Sequence, residues 1–244
     1  MIRELHLTAV NTDPESENRM HSDGVDRQLG FHSGLVPGVD VFEYMARLLF
    51  DAEPEWFAAG GSADLRLLKP YYDGEPVHVT LDPFDKVVRA GDRATLRYAT
   101  EAPLAVPALP SFVPLPDERP KACEELLEPG VQLGSFRRIL QTGVPVSQTA
   151  REFLELANRL LMHNFILDPW IHAGSRIHWL SNGLRDVREV EVRGRILERK
   201  ERKGHGFVTF RVVYLDVDRS MSPVAWIDHT AIWKFRVPGA LQRR

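Results

Sequence analysis

His21 is the residue of this 244-residue sequence that is best suited to acid–base chemistry. It lies in ENRMHSDGVDRQLGFHSGLVPGVDVFEYM, residues 17–45, where its immediate neighbours are mostly polar. Because an imidazole exchanges protons near neutral pH, a loop histidine in such surroundings can serve as an acid or a base. Asn18 precedes it by three residues and could bond a substrate carbonyl or a water molecule, or it could close an Asx turn within NTDPESEN.

Glycines at positions 30, 34 and 38 lead from this loop into a helix. Gly34 and Gly38 lie at the expected helix start and carry no Cβ atom, so a ligand could approach the backbone there. Free amides at a helix N-terminus can stabilise an oxygen that gains negative charge. The glycines could also serve only to form the turn, with Pro37 in the first helical turn.

Apolar residues at helical spacing predict the first helix over residues 39–50. Strand-like segments follow it, separated by Asp-Gly and Gly-Asp turn signals. They cover residues 63–72, 75–84 and 92–101.

The second half of the sequence repeats this order of elements. The segment TAREFLELANRLLMHNF, residues 149–165, has one apolar face and predicts a helix, which Thr149 and Glu152 could start with a capping box. Segments rich in β-branched and aromatic residues follow at 176–180, 187–200, 205–217 and 223–235. A helix followed by several strands, occurring twice, predicts an α+β fold in which each sheet wraps its helix.

A proline-rich segment separates the two halves. Prolines at 103, 107, 110, 114, 116 and 120 remove backbone donors and favour extended geometry. We therefore predict an N-terminal unit over 1–100, a linker over 101–130 and a C-terminal unit over 131–244. Only LQTGVPVSQT precedes the second helix, without an Asn-x-x-His, so we expect one working site that the first half supplies and the second completes.

The composition excludes several function classes. A formal net charge of −3 with 27% charged residues gives no bias toward nucleic acid or a membrane surface as a partner. The N-terminus lacks a leader pattern and the single cysteine excludes an intramolecular disulfide, which together predict a cytoplasmic protein. We expect no metal site, because the later histidines show no ligand spacing. They are His172, His178, His205 and His229.

Five short segments, in this order of elements, resemble the double-hotdog proteins of the MaoC-like (R)-specific enoyl-thioester hydratase and dehydratase group. They are NRMH, GFHSGLVPG, RLLKPYYDGEPV, PWIHAGSRIHWL and ERKGHGFVTF. The resemblance covers most of residues 1–100 and 135–236. It implies a double hotdog, with two long central helices, each wrapped by a curved antiparallel sheet and fused in one chain, and a possible homodimer of such chains.

The resemblance also implies the site. The hydration motif of that group reads Asp-x-Asn-x-x-His, which places Asn18 and His21 on their expected positions and Ser16 on the position of the acid. Glu43, on the first helix, lies where other hotdog enzymes that hydrolyse thioesters carry an acid. The expected catalytic positions are His21, Asn18, Glu43 and Ser16, and the expected substrate contacts are Gly34, Val36, Gly38 and Asp23.

Three functions follow as hypotheses. The first is hydration of an enoyl thioester, or dehydration of the 3-hydroxyacyl thioester, with coenzyme A or acyl carrier protein as the substrate's carrier and no further cofactor. The second is an acyl-CoA thioesterase that uses Glu43 with Asn18 and His21. The third is a non-catalytic acyl-thioester binder or a subunit of a larger complex, since Ser16 replaces the acid.

Overall fold

A computed structural model of the chain describes residues 2–21, 31, 33–54, 56, 60–99, 105–167, 169–180 and 186–236. Within these residues the chain forms ten strands and two α-helices. The first half contains β1 Arg3–Thr8, α1 Gly38–Ala52, β2 Gly61–Leu67, β3 Pro76–Asp82, β4 Val87–Ala90 and β5 Ala94–Ala99. The second half contains β6 Gln132–Ile139, α2 Val146–Asn164, β7 Ile171–Trp179, β8 Glu189–Arg202, β9 His205–Asp216 and β10 Ser222–Lys234.

The strands form one ten-stranded sheet in the order β1-β3-β4-β5-β2-β7-β10-β9-β8-β6. From its outer edge to the centre of the sheet, the first half has the order β1-β3-β4-β5-β2. The second half, read in the same direction, has the order β6-β8-β9-β10-β7, which is the same order with five added to each number. The halves meet where β2 pairs with β7 in antiparallel register, from Gly61 opposite Trp179 to Arg66 opposite Gly174. Both halves therefore have the same topology and lie side by side in one sheet.

Each helix packs on the strands of its own half, and the two helices also contact each other. The predicted first helix is confirmed, since α1 spans Gly38–Ala52. The predicted apolar face of the second helix is also confirmed, because every residue expected on it is buried. These residues are Phe153, Leu156, Ala157, Leu160, Leu161 and Asn164.

Both helices begin directly after a proline whose backbone is extended, with ψ 135° at Pro37 and 148° at Pro145. The capping box predicted for the second helix is wrong. The backbone N–H groups of residues 148 and 149 donate to the carbonyl of Pro145, so the helix starts three residues earlier than Thr149. Glu152 instead accepts a hydrogen bond from the backbone N–H of Gln141 at 3.1 Å.

Three strands were missed in the sequence pattern, namely β1, β4 and β6. The first and last form the two edges of the sheet. No residue of β1 is buried, and the last three residues of β6 are exposed, which leaves a weak apolar signal. Strand β4 has only four residues.

Residues 106–120 of the proline-rich segment contain no helix or strand, which agrees with the prolines there, and they lie against the second half. Ser135 donates its backbone N–H to the carbonyl of Val113 at 2.6 Å, and Ile166 donates to that of Pro120 at 2.8 Å. These bonds tie the segment to β6 and to the end of α2. No helix among the described residues is both long and apolar enough to cross a membrane.

Candidate active site

A cavity of about 210 Å³ lies beside the start of α1, between the two halves of the chain. Its walls are mostly apolar and come from both halves. Leu35, Val36, Val41 and Leu67 line it from the first half, and Trp170 and Ile232 from the second. Among its polar lining residues are Asn18, His21, Asn158 and His172. The cavity suits an apolar chain that carries one reactive polar group.

His21 is held in a defined orientation at the cavity wall. It ends a short 3₁₀ turn, and its Nδ1 donates a hydrogen bond to the backbone carbonyl of Leu35 at 2.7 Å. Because a carbonyl can only accept, the proton of the neutral ring is on Nδ1, which leaves a lone pair on Nε2. Asn18 Nδ2 lies 3.4 Å from this Nε2 and points a donor at it. His21 is thus arranged to act as a base through Nε2.

Asn18 joins the two halves across the site. Its side-chain Nδ2 donates to the carbonyl of Trp170 at 2.9 Å, and the backbone N–H of Trp170 donates to its Oδ1 at 3.3 Å. The side chain is only 3% exposed. Both hydrogen bonds hold the loop that carries His21 against the start of β7, so Asn18 positions the base.

Replacing Asn18 with alanine is expected to destabilise the protein, because both backbone groups of Trp170 would lose a buried partner. The expected loss in the free energy of unfolding is about 1–3 kcal/mol, measured by urea denaturation. Ser33→Ala, in the same loop region, serves as a control that leaves these hydrogen bonds intact. An Asn18→Ala midpoint equal to that of the wild type would contradict the proposed link between the halves.

Ser16 supports the turn that carries His21. Its Oγ accepts a hydrogen bond from the backbone N–H of Asn18 at 3.2 Å. Glu43 lies at the interface of the two helices, where its Oε2 is 3.6 Å from Nε of Arg151, and it lines a different cavity from that of His21. Burial raises the pKa of Glu43, and Arg151 opposes this rise. The structure therefore brings Ser16 and Asn18 near His21 but does not bring Glu43 there.

A second, polar cavity of about 520 Å³ adjoins the apolar one and shares His21, Asn18 and Asn158 with it. Two of its acids are ion-paired: Glu17 with Arg119 at 2.9 Å and Glu155 with two arginines. Within the described part of the chain, no carboxylate is hydrogen-bonded to His21. The base is therefore oriented by a carbonyl and an amide.

The residues expected to contact the substrate differ in the hydrogen-bond partners of their backbone N–H groups. Val36 lines the cavity, but its backbone N–H already donates to the carbonyl of Tyr71 at 2.9 Å. The backbone N–H groups of Gly38 and Val39 have no hydrogen-bond partner among the described residues. Gly38 therefore offers a free donor at the cavity wall. Asp23 lies outside the described residues.

Gly34 has to be a glycine because the chain passes close to the backbone of His21. A Cβ atom added at Gly34 would overlap the carbonyl oxygen of His21. We expect Gly34→Ala to displace His21 and to lower the free energy of unfolding by about 1–3 kcal/mol. Thermal denaturation and the activity assay described below measure both effects. An alanine variant with normal melting temperature and turnover would contradict this close approach.

Two residues of the cavity were missed in the sequence, and both belong to the second half. Asn158 projects from α2 into both cavities, and its Oδ1 is buried without a hydrogen-bond partner among the described residues. His172, on β7, lines the apolar cavity. No local motif marks either residue, because the fold brings them to His21 from more than 130 positions away.

The described residues contain one group of three possible metal ligands, Glu4, His6 and His78, whose ligand atoms lie within 4.8 Å of one another. All three are exposed on β1 and β3. None of them lines the cavity that contains His21. This group is therefore not part of the candidate active site.

Comparison with known proteins gives structural matches only. No protein-family model and no curated protein sequence matches the chain. The GphF dehydratase 1 is 18% identical, with a TM-score of 0.55 over 96% of this chain and 94% of that chain. An acyl-CoA thioesterase II from Mycobacterium marinum is 12% identical, with a TM-score of 0.55 over 86% of this chain and 93% of that chain.

A third match names the architecture. A protein from Alicyclobacillus acidocaldarius described as having a hot dog fold is 10% identical, with a TM-score of 0.54 over 96% of this chain and 94% of that chain. At such identities the likeness concerns the fold and not the activity. With its antiparallel sheet packed on long helices, the chain has the hotdog fold.

Proposed function

We propose that this protein is an acyl-thioester enzyme that hydrates an enoyl thioester, or dehydrates the corresponding 3-hydroxyacyl thioester, in the manner of the MaoC-like group. One observation carries the proposal: His21, whose Nε2 carries the lone pair of the ring and has only a long contact of 3.4 Å with Asn18, lines the same apolar cavity as Gly38, whose amide has no partner among the described residues. A base and a donor for a carbonyl oxygen are the two groups that this reaction needs.

We also infer that the chain is a double hotdog, because its second five strands and helix repeat the order of the first. In the first half, 29 positions of the sequence, 9–37, separate β1 from α1, and they include Asn18 and His21. In the second half, residues 140–145 make the corresponding connection. One catalytic loop serving both halves suits a single active site at their junction. We expect a cytoplasmic enzyme that forms homodimers of double hotdogs.

We infer the position of the substrate from the residues that line the cavity. The acyl chain lies against apolar residues such as Val41 and Leu67, and the thioester oxygen accepts a hydrogen bond from the amide of Gly38. Because the N-terminus of α1 carries partial positive charge, it favours the negative charge that the oxygen gains during the reaction. Coenzyme A and acyl carrier protein are both possible carriers, since each presents the same thioester.

His21 then takes part in two proton transfers, first as a base and afterwards as an acid. Nε2 of His21 takes a proton from water, and the water oxygen forms a bond to C3 as the C2–C3 π electrons move to the thioester oxygen. The imidazolium returns the proton to C2 as the enolate collapses, so that one water is added and His21 is restored. Oδ1 of Asn158 accepts a hydrogen bond from the second O–H group of the water, which stays intact, and so orients the water, a role that an acid has in the hydratases. Dehydration is the reverse.

A thioesterase is the second candidate, since proteins with a similar fold include an acyl-CoA thioesterase. Since Glu43 lies in another cavity, the base for hydrolysis would again be His21, activating water for attack on the thioester carbon. The absence of a carboxylate hydrogen-bonded to His21 among the described residues supports the third candidate, a non-catalytic acyl-thioester binder.

An assay with crotonyl-CoA and longer 2-enoyl-CoAs separates these candidates. Hydration removes the conjugated absorbance without releasing a free thiol, whereas hydrolysis releases the thiol. We expect loss of absorbance that His21→Gln abolishes and that His78→Gln, a change at an exposed histidine, leaves unaltered. Thiol release would indicate the thioesterase. Thermal stabilisation by acyl-CoA without either reaction would indicate the binder.

A further inference from the structure

Three polar residues form a buried chain in the sheet of the second half, next to the apolar cavity. Nε2 of His172 lies 3.0 Å from Oγ of Ser175, and this Oγ lies 2.9 Å from Nδ1 of His229. All three residues are buried, and the two imidazole rings are stacked with 4.1 Å between their centroids. This His-Ser-His chain connects β7 and β10 beneath the cavity.

One end of this His-Ser-His chain, His172, lies beside the start of α1. His172 is 6% exposed and lines the cavity, and its Nδ1 has no hydrogen-bond partner within the described part of the chain. A Cβ atom added at Gly38 would lie 2.9 Å from this Nδ1. The unpartnered nitrogen is thus adjacent to the residue whose amide is also unpartnered. A buried polar atom without a partner is unfavourable unless a ligand satisfies it.

Both histidines of this group are neutral near neutral pH. Burial lowers the pKa of His172 to about 3, although a backbone hydrogen bond with Gly174 opposes this change, and burial also lowers the pKa of His229, with a smaller contribution from His172. Each ring therefore carries one proton, and the serine hydroxyl carries one. If His229 donates from Nδ1 to Ser175, then Ser175 donates to Nε2 of His172, and the proton of His172 is on Nδ1. In the opposite arrangement, Nε2 of His172 donates to Ser175, Ser175 donates to Nδ1 of His229, and Nδ1 of His172 carries a lone pair.

We propose that Nδ1–H of His172 is a second donor to the thioester carbonyl oxygen, next to the amide of Gly38, and that Ser175 and His229 place the proton on this nitrogen. A carbonyl oxygen can only accept, so its binding selects the arrangement in which His172 donates. In that arrangement Ser175 and His229 hold the proton on Nδ1, so that the buried donor can stabilise the charge of the enolate. The inference rests on the proposed acyl-thioester function.

The polarisation of a bound carbonyl tests the proposal without turnover. The probe is the ketone analogue of butyryl-CoA in which a methylene replaces the thioester sulfur, labelled with ¹³C at the carbonyl. Hydrogen bonds to the oxygen move its NMR signal downfield. We expect a downfield shift on binding to the wild type, a smaller shift with His172→Leu, and recovery with His172→Asn, whose amide can place a donor near the position of Nδ1.

Two further variants keep the test independent of folding. Ser175→Ala leaves His172 in place but removes the group that fixes its proton, so its shift should lie between those of the wild type and His172→Leu. His178→Leu, on the same strand but outside the cavity lining, should match the wild type. For enoyl-CoA hydration, loss of one such donor lowers kcat/KM by on the order of 10²–10³-fold, mainly through kcat.

The outcomes separate the two claims. A wild-type shift retained in both His172→Leu and Ser175→Ala, with turnover intact, would overturn the role of His172 and leave the proposed function standing. If neither His172→Leu nor His172→Asn folds, Ser175→Ala alone decides, and a shift identical to that of the wild type overturns the proposal. Absence of any binding of the ketone to the wild type would overturn both claims.

Discussion

Replacing His21 with glutamine is expected to lower kcat/KM for enoyl-thioester hydration by on the order of 10²–10⁴-fold, because the side chain that exchanges the proton is lost. Glutamine is polar and of similar length, and its amide lies near the position of Nε2, but it cannot exchange a proton near neutral pH. His21 is only partly buried, so the fold should persist. Steady-state kinetics measure the loss, and thermal denaturation checks the fold.

His78→Gln is the matched control for this change, since His78 is an exposed histidine on β3 that does not line the cavity. We expect its kinetics to equal those of the wild type. A His21→Gln variant that is folded and retains more than a tenth of wild-type kcat/KM would exclude His21 as the acid–base group.

Replacing Arg151 with methionine is expected to lower the free energy of unfolding at neutral pH by about 3–5 kcal/mol, because it leaves the buried carboxylate of Asp40 without its cation. Nε of Arg151 donates to Oδ1 of Asp40 at 2.7 Å, and Asp40 is 2% exposed. The same arginine also reaches Glu43 and Glu155, so it joins the two helices. Urea denaturation at fixed pH measures the loss.

The pH dependence of this loss identifies Asp40 as its origin. Burial raises the pKa of Asp40 above 3.8, and the charge of Arg151 opposes that rise, so removing the arginine raises the pKa further. A carboxyl with a raised pKa binds protons more readily in the folded chain, and its cost is present above that pKa. We therefore expect the destabilisation by Arg151→Met to shrink as the pH falls toward 4.

Two variants control this experiment. Arg159→Met removes a more exposed arginine on the same helix that pairs with Glu155, and we expect it to change the free energy of unfolding by less than about 1 kcal/mol. Adding Asp40→Asn to Arg151→Met removes the buried charge and should restore most of the lost stability. A double variant as unstable as Arg151→Met would contradict this explanation.

The repeated architecture could be predicted from the sequence because both helices carry a continuous apolar face, and buried and half-buried residues alternate over the first eight residues of β9. Val208, Phe210, Val212 and Tyr214 are all buried, as period-two spacing predicts. The edges of the sheet could not be predicted in this way. No residue of strand β1 is buried, and the last three residues of β6 are exposed, so neither strand shows a clear alternation of buried and exposed residues.

The candidate site was predictable only in part. His21 and Asn18 stand three residues apart in one loop, so a local motif could identify them. Their partners Trp170, Asn158 and His172 come from the second half and become neighbours only when β2 pairs with β7. Glu43 shows the opposite case: its position on the helix suggested a catalytic acid, but the arginine that holds it belongs to α2 and was not visible in any local pattern.

The central claim is that His21 adds water to C3 of an enoyl thioester held in the apolar cavity. Mass spectrometry of the product formed from crotonyl-CoA in water enriched with ¹⁸O tests it most directly. We predict a 3-hydroxyacyl-CoA that carries ¹⁸O on its new hydroxyl group and that does not form with His21→Gln. Free crotonate labelled in its carboxylate, together with free coenzyme A, would contradict it.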